Sequence, residues 1–200
     1  MPSLLVCMTG ASGSIYGVRL LEAALPLFDP LYLVLSARAR EVIHHELGLV
    51  LRRGANPACE LIGEAGAGVR TFGHQDMNAP FASGSAACDA MVVAPCTMGT
   101  AARIAHGVSE DLIARAADVC LKERRKLILV PRETPYSTLH LRNLLALSEA
   151  GATILPAAPP FYHRPKDIDG LVQPIIDRIL VHAGAPRPGA YHWAGSSAEE

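Results

Sequence analysis

Five short aliphatic runs set the terms on which this chain can fold: Leu4–Met8, Leu31–Leu35, Met91–Ala94, Leu127–Val130 and Ala152–Leu155. Each is bounded by Gly, Pro or polar residues and is shorter than an ordinary helix. An unalternating apolar run of that length reads as a strand buried on both faces. Between the runs lie segments with helical periodicity, so the order is strand, helix, strand, helix. That order predicts a mostly parallel sheet covered by helices on both sides.

Val18, Leu21 and Leu25 mark one such helix. Leu112, Ile113, Ala116, Val119 and Cys120 mark another, with Ser109 expected as its N-cap and Glu110 and Asp111 in its first turn. Lys122 and Arg124–Lys126 gather where that helix ends, a favourable place for cations on the helix dipole. A last helix is expected after Asp167, with Ile168, Leu171, Val172, Ile175, Ile176 and Ile179 on its buried face and a kink at Pro174. Gly63–Gly68 reads as a flexible connection, Gln75–Ser85 as irregular, and Pro156–Pro165 as too rich in proline for a helix interior. Residues 1–183 are expected to form a single domain, and residues 184–200, rich in Pro, Gly and Ser, an arm or a partly disordered tail.

Composition narrows the function. With 18 basic against 19 acidic residues, the chain lacks the bulk charge of a nucleic-acid binder. No apolar segment is long enough to span a bilayer and no secretory leader is visible. The five cysteines (Cys7, Cys59, Cys88, Cys96, Cys120) lack CxxC spacing and are expected as reduced thiols of a cytoplasmic protein. Half of the residues are hydrophobic and the mean hydropathy is +0.24, a balance that points to apolar subunit interfaces.

Chemistry is expected where the strands end. Thr9-Gly10-Ala11-Ser12-Gly13-Ser14 joins the first strand to a helix, and such a turn presents backbone N–H groups to an anion or a polar ring edge. The spacing is not GxGxxG, and a turn that needs glycine for backbone reasons alone would look the same. Pro95-Cys96-Thr97-Met98-Gly99-Thr100 is a second turn with hydroxyls and a helix start, and Ser36 stands at a third strand end, where it also suits an N-cap. Ligands of open α/β sheets collect at these carboxyl ends. Arg132 and Glu133 lie between Pro131 and Pro135 as a rigid pair, able to clamp a phosphate and move a proton, or to form a surface ion pair. Tyr162, His163 and Arg178 are further candidates for an anion site. His44-His45-Glu46 lacks metal-ligand spacing, and no metal site is expected.

Four strings in order, MTGASGSIYGVRLL (8–21), APFASGS (79–85), ARAADVCLKERRKLILVPRETPYSTLHLRN (114–143) and GATILPAAPPFYHRP (151–165), resemble the UbiX/Pad-type flavin prenyltransferase family over Leu4 to Leu180. The resemblance implies a flavodoxin/Rossmann-like three-layer αβα sandwich, assembled as a cytoplasmic dodecamer with sites at subunit contacts. It implies that Gly10, Ala11, Ser12, Ser36, Thr97, Met98, Gly99, Thr100 and Arg132 hold reduced FMN. Lys122, Arg132, Glu133, Tyr162 and Arg178 would receive dimethylallyl phosphate, some from neighbouring subunits. Ser12 and Glu46 would stand at the flavin's reactive edge, with Ser12, Glu46, Lys122 and Glu133 as the catalytic groups. The expected product is prenylated FMN, passed to a UbiD-type decarboxylase. Phe81 stands where a proline is frequent, Thr97-Met98 where Ser precedes Thr or Met, and Gln75–Asn78 lacks a tryptophan that some members carry. Two other activities fit an FMN-binding domain of this kind. One is decarboxylation of a cysteine-type carboxylate, for which the glycine in Pro95–Gly99 replaces an expected asparagine. The other is flavin carriage, which needs no second anion site.

Overall fold

The computed structural model describes residues 1–189. Six strands form one sheet: β1 (Leu4–Met8), β2 (Leu31–Leu35), β3 (Arg70–Gly73), β4 (Ala90–Cys96), β5 (Lys126–Pro131) and β6 (Thr153–Ile154). Their spatial order is β3-β2-β1-β4-β5-β6 and every neighbouring pair is parallel. The five expected runs are all strands. The sixth, β3, carries no apolar run because it lies at the sheet edge with half-exposed or exposed residues. Its Phe72 is held by Tyr32 and Phe81, ring centroids 5.9 and 5.2 Å away.

Seven α-helices cover the sheet: α1 (Ser14–Ala24), α2 (Ala37–Leu47), α3 (Pro57–Ile62), α4 (Met98–Ala105), α5 (Leu112–Lys122), α6 (Thr138–Glu149) and α7 (Ile168–Ala183). Side chains of a strand alternate between faces. Leu4, Val6 and Met8 therefore join a core with α1, α2, α3 and α7, while Leu5 and Cys7 join a second core with α4, α5 and Leu147 of α6. The result is the three-layer αβα sandwich. Gly17 lets α1 lie hard against the sheet, because a Cβ there would strike Met8 and the Ala94 carbonyl.

Several local expectations need correction. The Gly63–Gly68 segment is a 3-10 helix rather than a flexible connection, with Gly66 buried and its carbonyl accepting from Asn56 Nδ2. Pro95 and Cys96 belong to β4, whose register with β5 shifts between Val93 and Cys96. The N-cap of α5 is Asp111, not Ser109, because the Asp111 carboxylate accepts from Ala114 N at 2.8 Å. On α7, Ile168 is 66% exposed and Leu171 half-buried, and the buried face is made by Val172, Ile175, Ile176, Ile179 and Leu180.

Helix α7 runs on through Pro174. Proline cannot serve the carbonyl four residues earlier, that of Gly170. His163 Nε2 donates to that carbonyl at 2.9 Å instead, which ties the proline-dense segment to α7. Gly184 caps α7 in the left-handed region, and Arg187 then pairs with the buried Asp177 at 3.0 Å. The first residues of the expected tail thus return to the domain, and residues 190–200 lie outside the described residues.

Candidate active site

The chain leaves β1 toward β2 on one side and β4 toward β5 on the other, so the loops after β1 and β4 diverge and open a crevice at the carboxyl edge of the sheet. Thr9 fixes the base of this crevice. Its hydroxyl donates to the Pro95 carbonyl and accepts from Thr97 N, both at 2.8 Å, and the residue is 3% exposed. Above it lies a cleft of about 370 Å³ lined by Thr9, Gly10, Ser36, Thr97, Thr100 and Arg103, with His74, Glu110 and Asp111 at its walls.

Helix starts supply much of the lining. Ser36 caps α2 by accepting from Ala39 N at 3.1 Å. Thr97 caps α4 by accepting from Thr100 N at 3.1 Å, and the two threonine hydroxyls are 2.9 Å apart. The remaining first-turn N–H groups of a helix have no intrahelical acceptor, which leaves the start of α4 suited to an anion. Met98 turns its side chain into the core and does not line the cleft, and Gly99 is exposed but also outside the lining.

A second group of residues forms around α1. Gly13, at φ +107, makes the turn that a residue with a Cβ rarely adopts. The Glu46 carboxylate, from the last turn of α2, accepts from Gly13 N at 3.0 Å and from Ser14 N at 2.7 Å. Burial pushes the Glu46 pKa up, but hydrogen bonds from the Ser12 side chain and the Ser14 and Gly13 N–H groups outweigh it and hold the carboxyl below its usual value. Glu46 is therefore an ionised acceptor that orients Ser12. Arg132, after β5, reaches past the β4 loop and donates from Nε to the Ser12 carbonyl at 3.2 Å. Next to it, Glu133 Oε1 accepts from Thr134 N at 3.1 Å.

One chain thus gathers Gly10, Ser36, Thr97 and Thr100 in the cleft and Ser12, Glu46 and Arg132 beside it, with Ala11 buried between. It does not bring Lys122 there. Lys122 ends α5 just ahead of the start of β5, and Arg132 follows the end of β5. A strand of that length separates them by roughly 20 Å. In this chain Lys122 Nζ pairs with Glu123 at 3.0 Å. Arg178 also sits toward the far end, since Lys126 Nζ donates to the Ala183 carbonyl and so places the end of α7 at the start of β5. Tyr162 is at the correct end of the sheet but 78% exposed, beyond edge strand β6.

Sequence reasoning passed over three residues that the fold makes important. Thr9 was legible as a hydroxyl at a strand end. Arg103 lies three residues after Thr100 and donates from Nη2 to the Thr100 hydroxyl at 3.2 Å and to Asp111 Oδ2 at 3.3 Å. Asp111 was read as a first-turn charge rather than as a cap. The cysteine near the site is inert, because burial pushes the Cys96 thiol up to about 12.

A family model described as Flavoprotein matches residues 1–180. The flavin prenyltransferase UbiX of Pseudomonas aeruginosa is 45% identical over 194 residues, which cover 94% of this chain and 92% of that protein. Among solved structures, AnUbiX (PadA1) in complex with FMN and dimethylallyl pyrophosphate aligns with a TM-score of 0.86 at 38% identity, covering 98% of each chain. The dodecameric FMN-dependent UbiX-like decarboxylase from Escherichia coli O157:H7 aligns with a TM-score of 0.84 at 40% identity, covering 96% of this chain and 100% of its own.

Proposed function

The chain belongs to the flavoprotein family, and from that footing we propose that it is a flavin prenyltransferase, joining a dimethylallyl group from dimethylallyl phosphate or its diphosphate to reduced FMN. The observation that carries this reading is the alignment, over 98% of the chain, with a structure that holds FMN and a prenyl donor together. The cleft suits a flavin nucleotide on its own terms. Its lining hydroxyls, the start of α4 and a buried Arg103 Nε with no acceptor all favour an anionic end. The paired Ser12 and Glu46 offer a polar contact for a ring edge.

Reduced FMN would supply the nucleophilic N5 and C6. The allylic C–O bond breaks as phosphate leaves with its electron pair, and N5 takes the allylic carbon and gives up its proton. The prenyl double bond then takes up a proton, and C6 bonds to the resulting cationic carbon and releases its own proton. The protein's part is to hold and neutralise that phosphate and to keep water from the allylic carbon. Lys122, Arg132 and Arg178 are the cations assigned to the leaving group, and Tyr162 donates to it. Glu133 takes the proton released as the ring closes, and Ser12, oriented by ionised Glu46, holds the proton at N5.

Because Lys122 and Arg178 lie far from Arg132 within a chain, this assignment requires that they come from neighbouring protomers. A dodecamer like that of the Escherichia coli neighbour would supply them. The exposed apolar residues Leu139, Leu141, Leu145 and Phe161 suit such contacts. On this reading residues 1–183 act as one FMN-binding domain in the cytoplasm, where the five free cysteines stay reduced, and a UbiD-type decarboxylase receives the product.

The test is anaerobic incubation of the purified protein with reduced FMN and dimethylallyl phosphate, followed by mass spectrometry of the extracted flavin. A flavin heavier by one five-carbon unit supports the reading. The Escherichia coli neighbour is described as a decarboxylase, and under that activity the flavin would come back at its original mass.

A further inference from the structure

The geometry points to Arg103 as the residue that binds the phosphate end of the flavin nucleotide and sets the preference for FMN over the unphosphorylated flavin. This rests on the flavin-binding reading above. Arg103 lies six residues beyond the N-cap of α4, yet its side chain leans back along the helix, as long helical side chains do, to reach Thr100. The cationic head thereby lines the cleft together with the Ser36, Thr97 and Thr100 side chains.

A guanidinium carries five N–H donors in a planar fork. Here only Nη2 is engaged, by Thr100 and Asp111. Nε is buried without an acceptor, and Nη1 has no hydrogen-bond partner among the described residues. The fork is thus anchored at one corner and unmatched along the rest, the state of a bidentate phosphate or carboxylate site without its anion. Arg38, the other arginine at the cleft, is already paired with Glu41 at 2.7 Å and points largely to solvent.

Charge balance gives a second argument. Glu110 and Asp111 are both at the cleft wall. A phosphate docking on the start of α4 would meet these two carboxylates unless a cation stood between. Arg103 is bonded to Asp111 and contacts the first turn of α4, which is that intermediate position. With the phosphate held there, the ring system is directed toward Ser12, Glu46 and Arg132 on the far side of Gly10.

Binding of FMN and of riboflavin, which lacks the phosphate, separates this role from a structural one. Both would be titrated by fluorescence into the full-length wild type, Arg103→Gln and Arg103→Lys, with melting temperature as the check on folding. Arg103→Gln is expected to raise the Kd for FMN about 10- to 100-fold, the scale of a lost charge-assisted contact, and to leave riboflavin within about twofold. Arg103→Lys should recover part of the FMN affinity as a point charge. If Arg103→Gln does not fold, Arg103→Lys decides, with FMN expected about 3- to 10-fold weaker at unchanged riboflavin affinity. FMN affinity within twofold of wild type in the deciding variant, or equal losses for both flavins, overturns the assignment. A wild type that binds no FMN overturns the flavin reading as well. A wild type that prenylates FMN beside an unaffected variant overturns Arg103 alone.

Discussion

Thr97 N donates to Thr9 Oγ1 at 2.8 Å, a bond between residues 88 positions apart that ties the loop after β1 to the loop after β4. The same hydroxyl donates to the Pro95 carbonyl. One buried side chain therefore satisfies a donor and an acceptor at the point where the sheet opens. Thr9→Val keeps the shape and removes both bonds: the Pro95 carbonyl keeps the bond from Thr9 N, but the half-buried Thr97 N–H is left without an acceptor. The expected loss is about 2 kcal/mol. In a chain of this size that lowers the melting temperature by roughly 4–8 °C. FMN binding should weaken as well, since the two cleft-forming loops lose their tie. A melting scan alongside a flavin titration checks both.

Gly17 sets helix propensity against packing. Exchanging an interior helical glycine for alanine ordinarily stabilises by about 1 kcal/mol. Here the added Cβ would meet Met8 and the backbone carbonyl of Ala94 inside ordinary contact distance. Met8 can give way, but the carbonyl belongs to central strand β4 and cannot move without disturbing the sheet. Overpacking of this kind costs about 1–3 kcal/mol, so Gly17→Ala is expected to destabilise by up to about 2 kcal/mol net. Denaturant unfolding with an unchanged m-value would bear this out, and a stabilised variant would show that α1 stands off the sheet.

Much of this architecture was legible because burial leaves a direct trace in sequence. Strands β1, β2, β4 and β5 are apolar runs because helices cover both of their faces, while β6, at one edge, is two half-buried residues within the run Ala152–Leu155. Edge strand β3 left no such trace, because Arg70 and Gly73 meet solvent. The site was legible as loops at strand ends, since Gly10, Ser36, Thr97 and Arg132 each follow a run within three residues. Side-chain bonds that cross the sheet were not legible. Nothing local in the sequence says that Glu46 closes on Gly13 and Ser14, or that His163 serves the carbonyl Pro174 leaves open.

Glu46 gives a pH signature. Its folded pKa lies below the usual value of 4.5, because hydrogen bonds from Ser12, Ser14 and Gly13 outweigh the opposing effect of burial. A depressed carboxyl pKa contributes stability that is fully present above the unfolded value and is lost as pH falls through the folded one. Glu46→Gln should therefore be less stable than wild type at pH 7, by about 1 kcal/mol or less given solvent exposure at this helix start. The gap should close as pH drops below about 4.5. A gap that persists unchanged at pH 3 would mean that packing, not charge, is what Glu46 supplies.

His163 offers a test of how the segment carrying Tyr162, proposed above to meet the prenyl donor, is held. Its Nε2–H serves the Gly170 carbonyl that Pro174 cannot reach. His163→Phe removes that donor and should cost about 1–2 kcal/mol. Tyr162 is the adjacent residue, so the apparent affinity for dimethylallyl phosphate should fall while FMN binding at the cleft between β1 and β4 stays unchanged. Restoring a bond donor with His163→Gln should regain part of the loss. Steady-state kinetics over donor concentration, beside an FMN titration, resolves the two. Equal losses in both would place His163 in general stability rather than in the donor site.

The separation of Lys122 from Arg132 by the length of β5 makes the strongest demand on the assembly. If one reaction site draws Arg132 from one protomer and Lys122 from its neighbour, Lys122→Ala and Arg132→Ala homo-oligomers should each be nearly inactive. Mixing the two by co-expression creates sites in which an intact Arg132, on a Lys122→Ala protomer, meets an intact Lys122 from an Arg132→Ala protomer. Random assembly at equal ratio makes about a quarter of the sites complete, so activity should return to about that fraction of wild type. A site built within one chain contains at least one lesion in every protomer, and mixing would then recover nothing. Prenylated flavin measured by mass spectrometry in the co-expressed sample, against each variant alone, separates a shared site from a self-contained one.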